Sequence, residues 1–541
     1  MARTTRVRRS AAVPKALPAV AGAAMLLSAC AAASGAGSGE AADIDGEPVN
    51  GGTLHYRAAP GPGGGSSIDP ATATGYGLAV PLRQTVDSLV LHDADGDFEP
   101  WLATDWTVND DATVYTFTLR EDVTFSNGEE LDAEAVAASY RSIVDAGASF
   151  AVANSWIGDL GEIVTPSEYE VEFRFESPNS SFLQAASTSA LGIVAPETSA
   201  RTFEERQEGL TVVGSGPFVA TDVRANEGYV LERRDDYAWA PESFPNQGAA
   251  HLDAIEVHHI SDNSIAASEL RAGGLTLLHN TEPADKTELS TNPDVTIRTE
   301  PLPSGAIGLV ANTEHPGLDE PEVREALSLA VDRDAILERA SAIDVPASSV
   351  LSATNPYWED LSDHIVTDVA RAEDLLDEAG WLPAEDGVRE RDGERLSFDL
   401  IYTGSTISHE PNLAVLQSQW AQIGVELTFG SLTTPDLNQR IASGDYAFSW
   451  QLAGRPDPEV LRTNFAGNDE ELDALFGEIL STPGQEERRP LVTEAAELVL
   501  DRGYFIPLYD FVQPLAYRNE LALPTFEASH MPLLVNAWIE E

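Results

Sequence analysis

Cys30 is the only cysteine in 541 residues, and it constrains the fold more than any other single feature. No intramolecular disulfide is open to the chain, so its domains must stand on burial alone, which a chain this long can sustain. The position of that cysteine is equally telling. It ends the run Met25-Leu26-Leu27-Ser28-Ala29-Cys30, behind a cationic stretch (Arg3, Arg6, Arg8, Arg9, Lys15) and an apolar core from Ala16 to Leu27. Such a segment reads as an export signal and is too short to remain as a membrane-spanning helix. Leu27-Ser28-Ala29-Cys30 resembles a bacterial lipobox, which implies cleavage before Cys30 and thioether lipidation of its sulfur. An ordinary secretory signal with a chance cysteine is the plainer alternative. One acyl chain anchors only marginally, so stable attachment needs two or three. The expected location is the extracytoplasmic face of the cell membrane.

Residues 30–50 are rich in Ala, Gly, Ser and acids without an apolar period, the composition of a flexible tether. About 490 residues follow, enough for two or three domains. No later stretch approaches the 18 apolar residues of a spanning helix. The formal charge is −57, and loss of a segment carrying +5 and no acids takes it to −62. Lysine occurs only at Lys15 and Lys286. That balance excludes nucleic acid as a partner, because no basic patch exists to neutralise phosphates. It is compatible with a cationic ligand, but diffuse acidity more simply describes a solvated surface.

Periodicity places the elements. Gly51 to Tyr56 reads as a strand and Pro81 to Val90 as a helix. The aspartates of Asp93-Ala94-Asp95-Gly96-Asp97 mimic part of a calcium loop but lack its closing bidentate Glu, so Asp95-Gly96 reads as a hairpin turn. Trp106 to Leu119 forms a second hairpin with Tyr115, Phe117 and Leu119 on one face. Asp132 caps a helix whose core face is Val136, Tyr140, Ile143 and Val144. Tyr169 to Phe175 alternates with its acids outward, and strands continue to Arg233 and from Leu252 to Ile260. Pro301-Leu302-Pro303 marks a break. Beyond it Asp319 and Pro321 open a helix bearing Val323, Ala326, Leu327, Ala330 and Val331. A second helix carries Leu375, Leu376 and Ala379 and stops at Gly380. A third, with Leu413, Leu416, Trp420 and Ile423, stops at Gly424 between strands Phe398–Tyr402 and Val425–Phe429, a βαβ unit.

Catalytic signatures are missing. The chain has no Gly-x-Ser-x-Gly, no phosphate loop ending Gly-Lys-Ser/Thr and no His-Glu-x-x-His. Gly61 to Gly65 lacks the strand–loop–helix context of a phosphate cradle. His258 and His259 are neighbours on one strand, point to opposite faces and cannot chelate one ion. Carboxylates are too abundant for any pair to stand out. No enzyme, cofactor or metal site is expected.

The motifs are ordered along nearly the whole mature chain. They include Ile68-Asp69-Pro70-Ala71, Asp87-Ser88-Leu89-Val90, Trp101-Leu102-Ala103-Thr104-Asp105-Trp106 and Tyr115 to Phe125. Asn127-Gly128-Glu129, Leu131 to Val136, Gly214-Ser215-Gly216-Pro217-Phe218, Val323 to Leu327, Val331-Asp332-Arg333, Ala379-Gly380-Trp381 and Ile506-Pro507-Leu508-Tyr509 follow. Together they resemble family 5 extracellular solute-binding proteins, the peptide/nickel group of ABC importers. The resemblance implies an α/β, two-lobed periplasmic-binding-protein-like fold of type II, with mixed sheets, flanking helices and an extra subdomain in the first lobe. It places the first lobe at 51–300 (extra subdomain 89–205), the second at 301–507 and a C-terminal return to the first at 508–541. It further implies a monomer that closes over a small-molecule or peptide ligand and delivers it to an ABC permease and ATPase complex. A non-peptide ligand (opine, sugar or metal chelate) and an extracellular sensor or chaperone on the same fold are the alternatives.

The ligand position departs from the peptide-binding pattern. Peptide-binding members carry Ala-Asp-Tyr before a Pro-Asp-Pro-like turn, and that Asp receives the peptide's α-amine. With Pro456-Asp457-Pro458 as anchor, the Asp falls on Gly454 and the Tyr on Arg455. A buried ammonium without a counter-ion costs roughly several kcal/mol, so an ordinary peptide N-terminus should bind poorly. Either Arg455 faces the cleft and grips an acidic group with its planar fork, or it pairs with Asp457 or another local acid. Trp450, beside Gln451, is placed either to stack on ligand or to fill the core. Thr74, Gly75 and Tyr76 match a family loop that reaches the cleft. Asn312 and Gly214 to Pro217 read as structural.

Overall fold

The computed structural model describes residues 46–58, 68–72, 76–208, 212–224, 227–279, 285, 288–299, 301–340, 343–403, 410–451 and 454–540. Cys30, Thr74 and Gly75 therefore lie outside the described residues, as do the side chains of Tyr76 and Gln451. Among the described residues no helix is long and apolar enough to cross a membrane.

The strand Thr53–Ala58 alternates strictly. Leu54, Tyr56 and Ala58 face a large core, while His55 and Arg57 face the other side. It lies near the middle of a seven-stranded sheet ordered Val295–Arg298, Leu515–Arg518, Leu277–His279, Thr53–Ala58, Ala254–His259, Gly228–Arg233, Phe218–Arg224. Its two neighbours run parallel to it, and Leu515–Arg518 enters antiparallel from the far end of the chain. The same core extends into a four-stranded antiparallel sheet (Ala103–Val108, Val114–Leu119, Glu170–Phe175, Leu160–Ser167) and the helix Ala133–Ala146. Phe182 sits among Tyr115, Phe117, Tyr140, Phe173 and Phe175, with ring centroids 4.8–6.2 Å away. Asp132 caps the helix, accepting from the Ala135 N–H at 2.8 Å.

A second, six-stranded sheet is ordered Val345–Pro346, Phe505–Asp510, Ile307–Ala311, Phe448–Gln451, Ser397–Thr403, Glu426–Leu432. Ser397–Thr403 and Glu426–Leu432 are parallel and joined by the helix Glu410–Gln422, which ends before Gly424 at φ +77°. This is the expected βαβ unit. Two separate hydrophobic clusters flank this sheet, apart from the core of the first. Pro301 and Val512 pair as an isolated bridge where the chain passes between the sheets.

Three local expectations change. The helix near Pro81 is Tyr76–Arg83, and Val90 already belongs to the strand Val90–His92. The chain leaves the helix because the carbonyls of Gln84 and Thr85 are taken by the N–H groups of Phe218 and Gly216, at 3.0 and 3.1 Å. A Cβ on Gly216 would stand 2.5 Å from the Gln84 carbonyl, so only glycine permits this approach. Val144 is 37% exposed; it lies about 100° round the helix from Ile143, beyond the stripe that covers the sheet. Glu320, not Asp319, is the N-terminal cap residue of Pro321–Leu329, and Asp319 instead accepts from the Gly317 N–H.

Asp510 ends the strand Phe505–Asp510, two residues before the Val512 bridge. One carboxyl oxygen accepts from the Ala353 N–H at 2.8 Å, and the other is buried with no hydrogen-bond partner among the described residues. Burial pushes this carboxyl up to about 7, assisted by Asp344 and opposed by the Ala353 N–H. A carboxyl raised in the folded state stabilises fully below the unfolded value and loses that stabilisation as pH rises. Stability should therefore fall between about pH 4 and pH 7. Asp510→Asn should flatten that slope in urea titrations across this range; an unchanged slope would place the titration elsewhere.

Candidate functional site

The segment after the strand Phe448–Gln451 carries the residues singled out at the ligand position. Trp450 is buried in the core of the second sheet, its ring 6.3 Å from that of Tyr509. Gln451 ends the strand opposite Gly308. At Gly454 no described atom lies within 4 Å of where a Cβ would stand. Tyr76 opens its helix. Asn312 donates to the carbonyls of Gly444 and Tyr446, a structural clamp. Gly214 to Pro217 forms the turn packed on residues 84–86.

Arg455 pairs with Glu459 at 3.0 Å, not with Asp457. Its second fork nitrogen donates to the Ser155 hydroxyl at 2.8 Å, and its guanidinium lies 4.8 Å over the ring of Trp156. Ser155 and Trp156 belong to the helix Ala151–Ile157, whose Ala153 and Ile157 join the core of the first sheet, so Arg455 links the segment after Phe448–Gln451 to that core. Glu459 is shared with Arg462 at 2.5 Å, which leaves two guanidiniums on one carboxylate. Burial lowers the Arg455 pKa, with Glu459 and Asp457 opposing that shift.

Asp457 is engaged elsewhere. It accepts from the Ser181 hydroxyl at 2.6 Å, from the Glu459 N–H at 2.8 Å and from the Arg488 fork at 3.3 Å. Arg488 also donates to the Ser180 carbonyl and the Tyr357 hydroxyl. Ser180 closes the contact through its N–H to Leu480 and its hydroxyl to Ile479, at 3.0 and 2.8 Å. The motifs mark Asp457 as an anchor and as one candidate partner of Arg455, and they do not mark Arg488, Ser180 or Ser181. Nothing local marks them, since they come together across 276 residues or more from the 180s.

Burial alone would raise the Asp457 carboxyl, but Arg488, Ser181 and the Glu459 N–H outweigh it and hold it below the usual carboxylate range. A depressed carboxyl stabilises above its unfolded value and loses that contribution as pH falls through the folded one. Asp457→Asn should cost about 3–5 kcal/mol in urea unfolding at pH 7, because Arg488 is left buried and uncompensated. The deficit should shrink below about pH 4. A loss under about 1 kcal/mol would mean that water reaches Arg488.

Residues 97–471 match the family model described as bacterial extracellular solute-binding proteins, family 5 Middle. The nickel-binding periplasmic protein of Escherichia coli (strain K12) is 27% identical over 449 residues, covering 78% of this chain and 83% of that protein. A probable di/tripeptide-binding protein 5 of Pseudomonas aeruginosa (strain UCBPP-PA14) is 27% identical over 472 residues, covering 78% and 84%. The crystal structure of NikA from Brucella suis in complex with Fe(III)-EDTA superposes with a TM-score of 0.75 at 22% identity, over 90% of this chain and all of that one. With more than half of its length matched and the two-lobed architecture in place, this chain belongs to the family 5 bacterial extracellular solute-binding proteins.

Proposed function

We propose that this chain is the lipid-anchored substrate-binding component of an ABC importer, working as a monomer. Lobes at 51–300 with 508–541 and at 301–507 would close over a small polar solute that carries an acidic group. The observation that carries the ligand class is the charge balance around Gly454. The family's amine-receiving carboxylate has no counterpart there, and Arg455 and Arg462 share the single carboxylate of Glu459. Asp457 is paired with Arg488, so the cluster of Arg455, Arg462 and Arg488 sets three guanidiniums against the two carboxylates of Asp457 and Glu459, a surplus to which an acidic ligand group is complementary. The relatives named for nickel and for di/tripeptides, and the Fe(III)-EDTA complex, support a cleft that accepts differing polar solutes. Trp450, Gln451, Thr74, Gly75 and Tyr76 complete the proposed lining.

A thermal-shift panel of di- and tripeptides, N-blocked peptides, dicarboxylates, sugars and metal chelates tests this reading. A ligand at 100 times its Kd adds about 2.7 kcal/mol, which moves Tm by about a degree or more in a chain of this size. Acidic or N-blocked compounds should respond and free-amine peptides should not; the reverse pattern would make this an ordinary peptide receptor. Gly454→Asp, for which the surroundings leave room, should confer a response to free-amine peptides. Anchoring is checked separately: Cys30→Ser should move the protein from the membrane fraction to the medium, and unchanged retention would reject the lipid anchor.

A further inference from the structure

The parallel pairing of Thr53–Ala58 with Ala254–His259 sets His55 opposite Glu256 and Arg57 opposite His258. With a side-chain period of two, His55, Glu256 and His258 share one face of the sheet, away from the core that takes Leu54, Tyr56, Ile255 and Val257. His258 and His259 do point apart. The partner of His258 is His55, 203 residues earlier, with Nδ1 of His55 3.1 Å from Nε2 of His258. The Glu256 carboxylate lies 3.6 Å from the same His55 nitrogen. All three donors fall within 4.8 Å of one another.

We propose that His55, Glu256 and His258 bind one divalent late first-row transition-metal ion of the zinc, nickel or copper class, on the first lobe and independently of the interlobe ligand. Two imidazoles and one carboxylate are a donor set for such ions rather than for magnesium or calcium. Tetrahedral ligands at about 2.0–2.1 Å from a metal stand about 3.3 Å apart, the range in which two of the three donor separations already fall. The three side chains are half-buried, reachable by an ion yet held by the sheet. The outer oxygen of Glu256 accepts from Arg224 at 3.1 Å, and Arg224 is in turn balanced by Asp222 at 3.2 Å. This leaves the other oxygen toward His55, the orienting role of an outer shell. No residue of the second sheet takes part. An N–H···N bond between the two rings is the competing account of the 3.1 Å contact, and it needs no ion.

The test is isothermal titration of the full, untagged chain carrying Cys30→Ser, which removes the one thiol, with ZnCl2 or NiCl2 at pH 7.5 and MgCl2 as control. One equivalent of zinc or nickel should bind with Kd of about 10 µM or tighter, and magnesium should not bind. His55→Gln and His258→Gln should each weaken binding at least tenfold, and the double variant should abolish it. Far-UV circular dichroism without metal checks that the variants fold. If they do not, X-ray absorption of the zinc-loaded unsubstituted histidine cluster decides, where two imidazoles at about 2.0–2.1 Å are expected. Absence of a tight equivalent, binding that survives the double variant, or a spectrum without two imidazoles would overturn the proposal and leave a simple ring–ring hydrogen bond.

Discussion

The ion pair of Asp457 with Arg488 is made beside a cluster that flanks the second sheet, yet its remaining valences go to Ser180 and Ser181, at the start of the helix Phe182–Ala186 packed in the core of the first. Ser181 donates to the carboxylate and the Ser180 carbonyl accepts from the guanidinium. Both charges are almost fully buried, at 4% and 3% exposure, so each depends on the whole set of partners being in place. Buried charge pairs contribute little net stability but penalise any arrangement that leaves one member unpaired. Here that penalty falls on separation of residues 180–181 from Asp457 and Arg488. The backbone around Asp457, Arg455 and Gly454 is therefore positioned by that same contact.

That coupling gives the candidate site its character. Arg455 lies two residues from Asp457 and reaches Ser155 and Trp156 across the junction while held by Glu459. A ligand carboxylate entering here would meet a guanidinium already oriented and partly desolvated. Pre-orientation lowers the entropy lost on binding. The other contacts of that fork, to Ser155 and Trp156, lie on the helix Ala151–Ile157, 300 residues earlier in the chain.

Much of the scaffold was legible in the sequence because its causes are local. Alternation in Tyr115, Phe117 and Leu119, the Asp132 cap and the left-handed stops at Gly380 and Gly424 rest on residues close together in the chain. The Asp93-to-Asp97 turn reads correctly as a hairpin: it joins the antiparallel strands Val90–His92 and Phe98–Pro100, with Asp93 accepting from the Asp95 and Asp97 N–H groups. The helix near Pro81 fails the local rule because distant backbone at Gly216 and Phe218 competes for its carbonyls.

The sequence by itself determined the class of molecule: an α/β chain without disulfides, strongly acidic, with a βαβ unit and no catalytic signature, because composition and short-range periodicity carry that information. It also marked Gly454 and Arg455 as a departure from the peptide-binding pattern that the family resemblance implies. Only the tertiary structure decided the partners. Arg455 goes to Ser155, Asp457 to Ser181, and His55 to His258. The physical reason is range: hydrogen bonds and ion pairs act over about 3–4 Å in space, and strand register and packing between the two cores bring residues two or three hundred positions apart within that reach. No pattern along the chain encodes it.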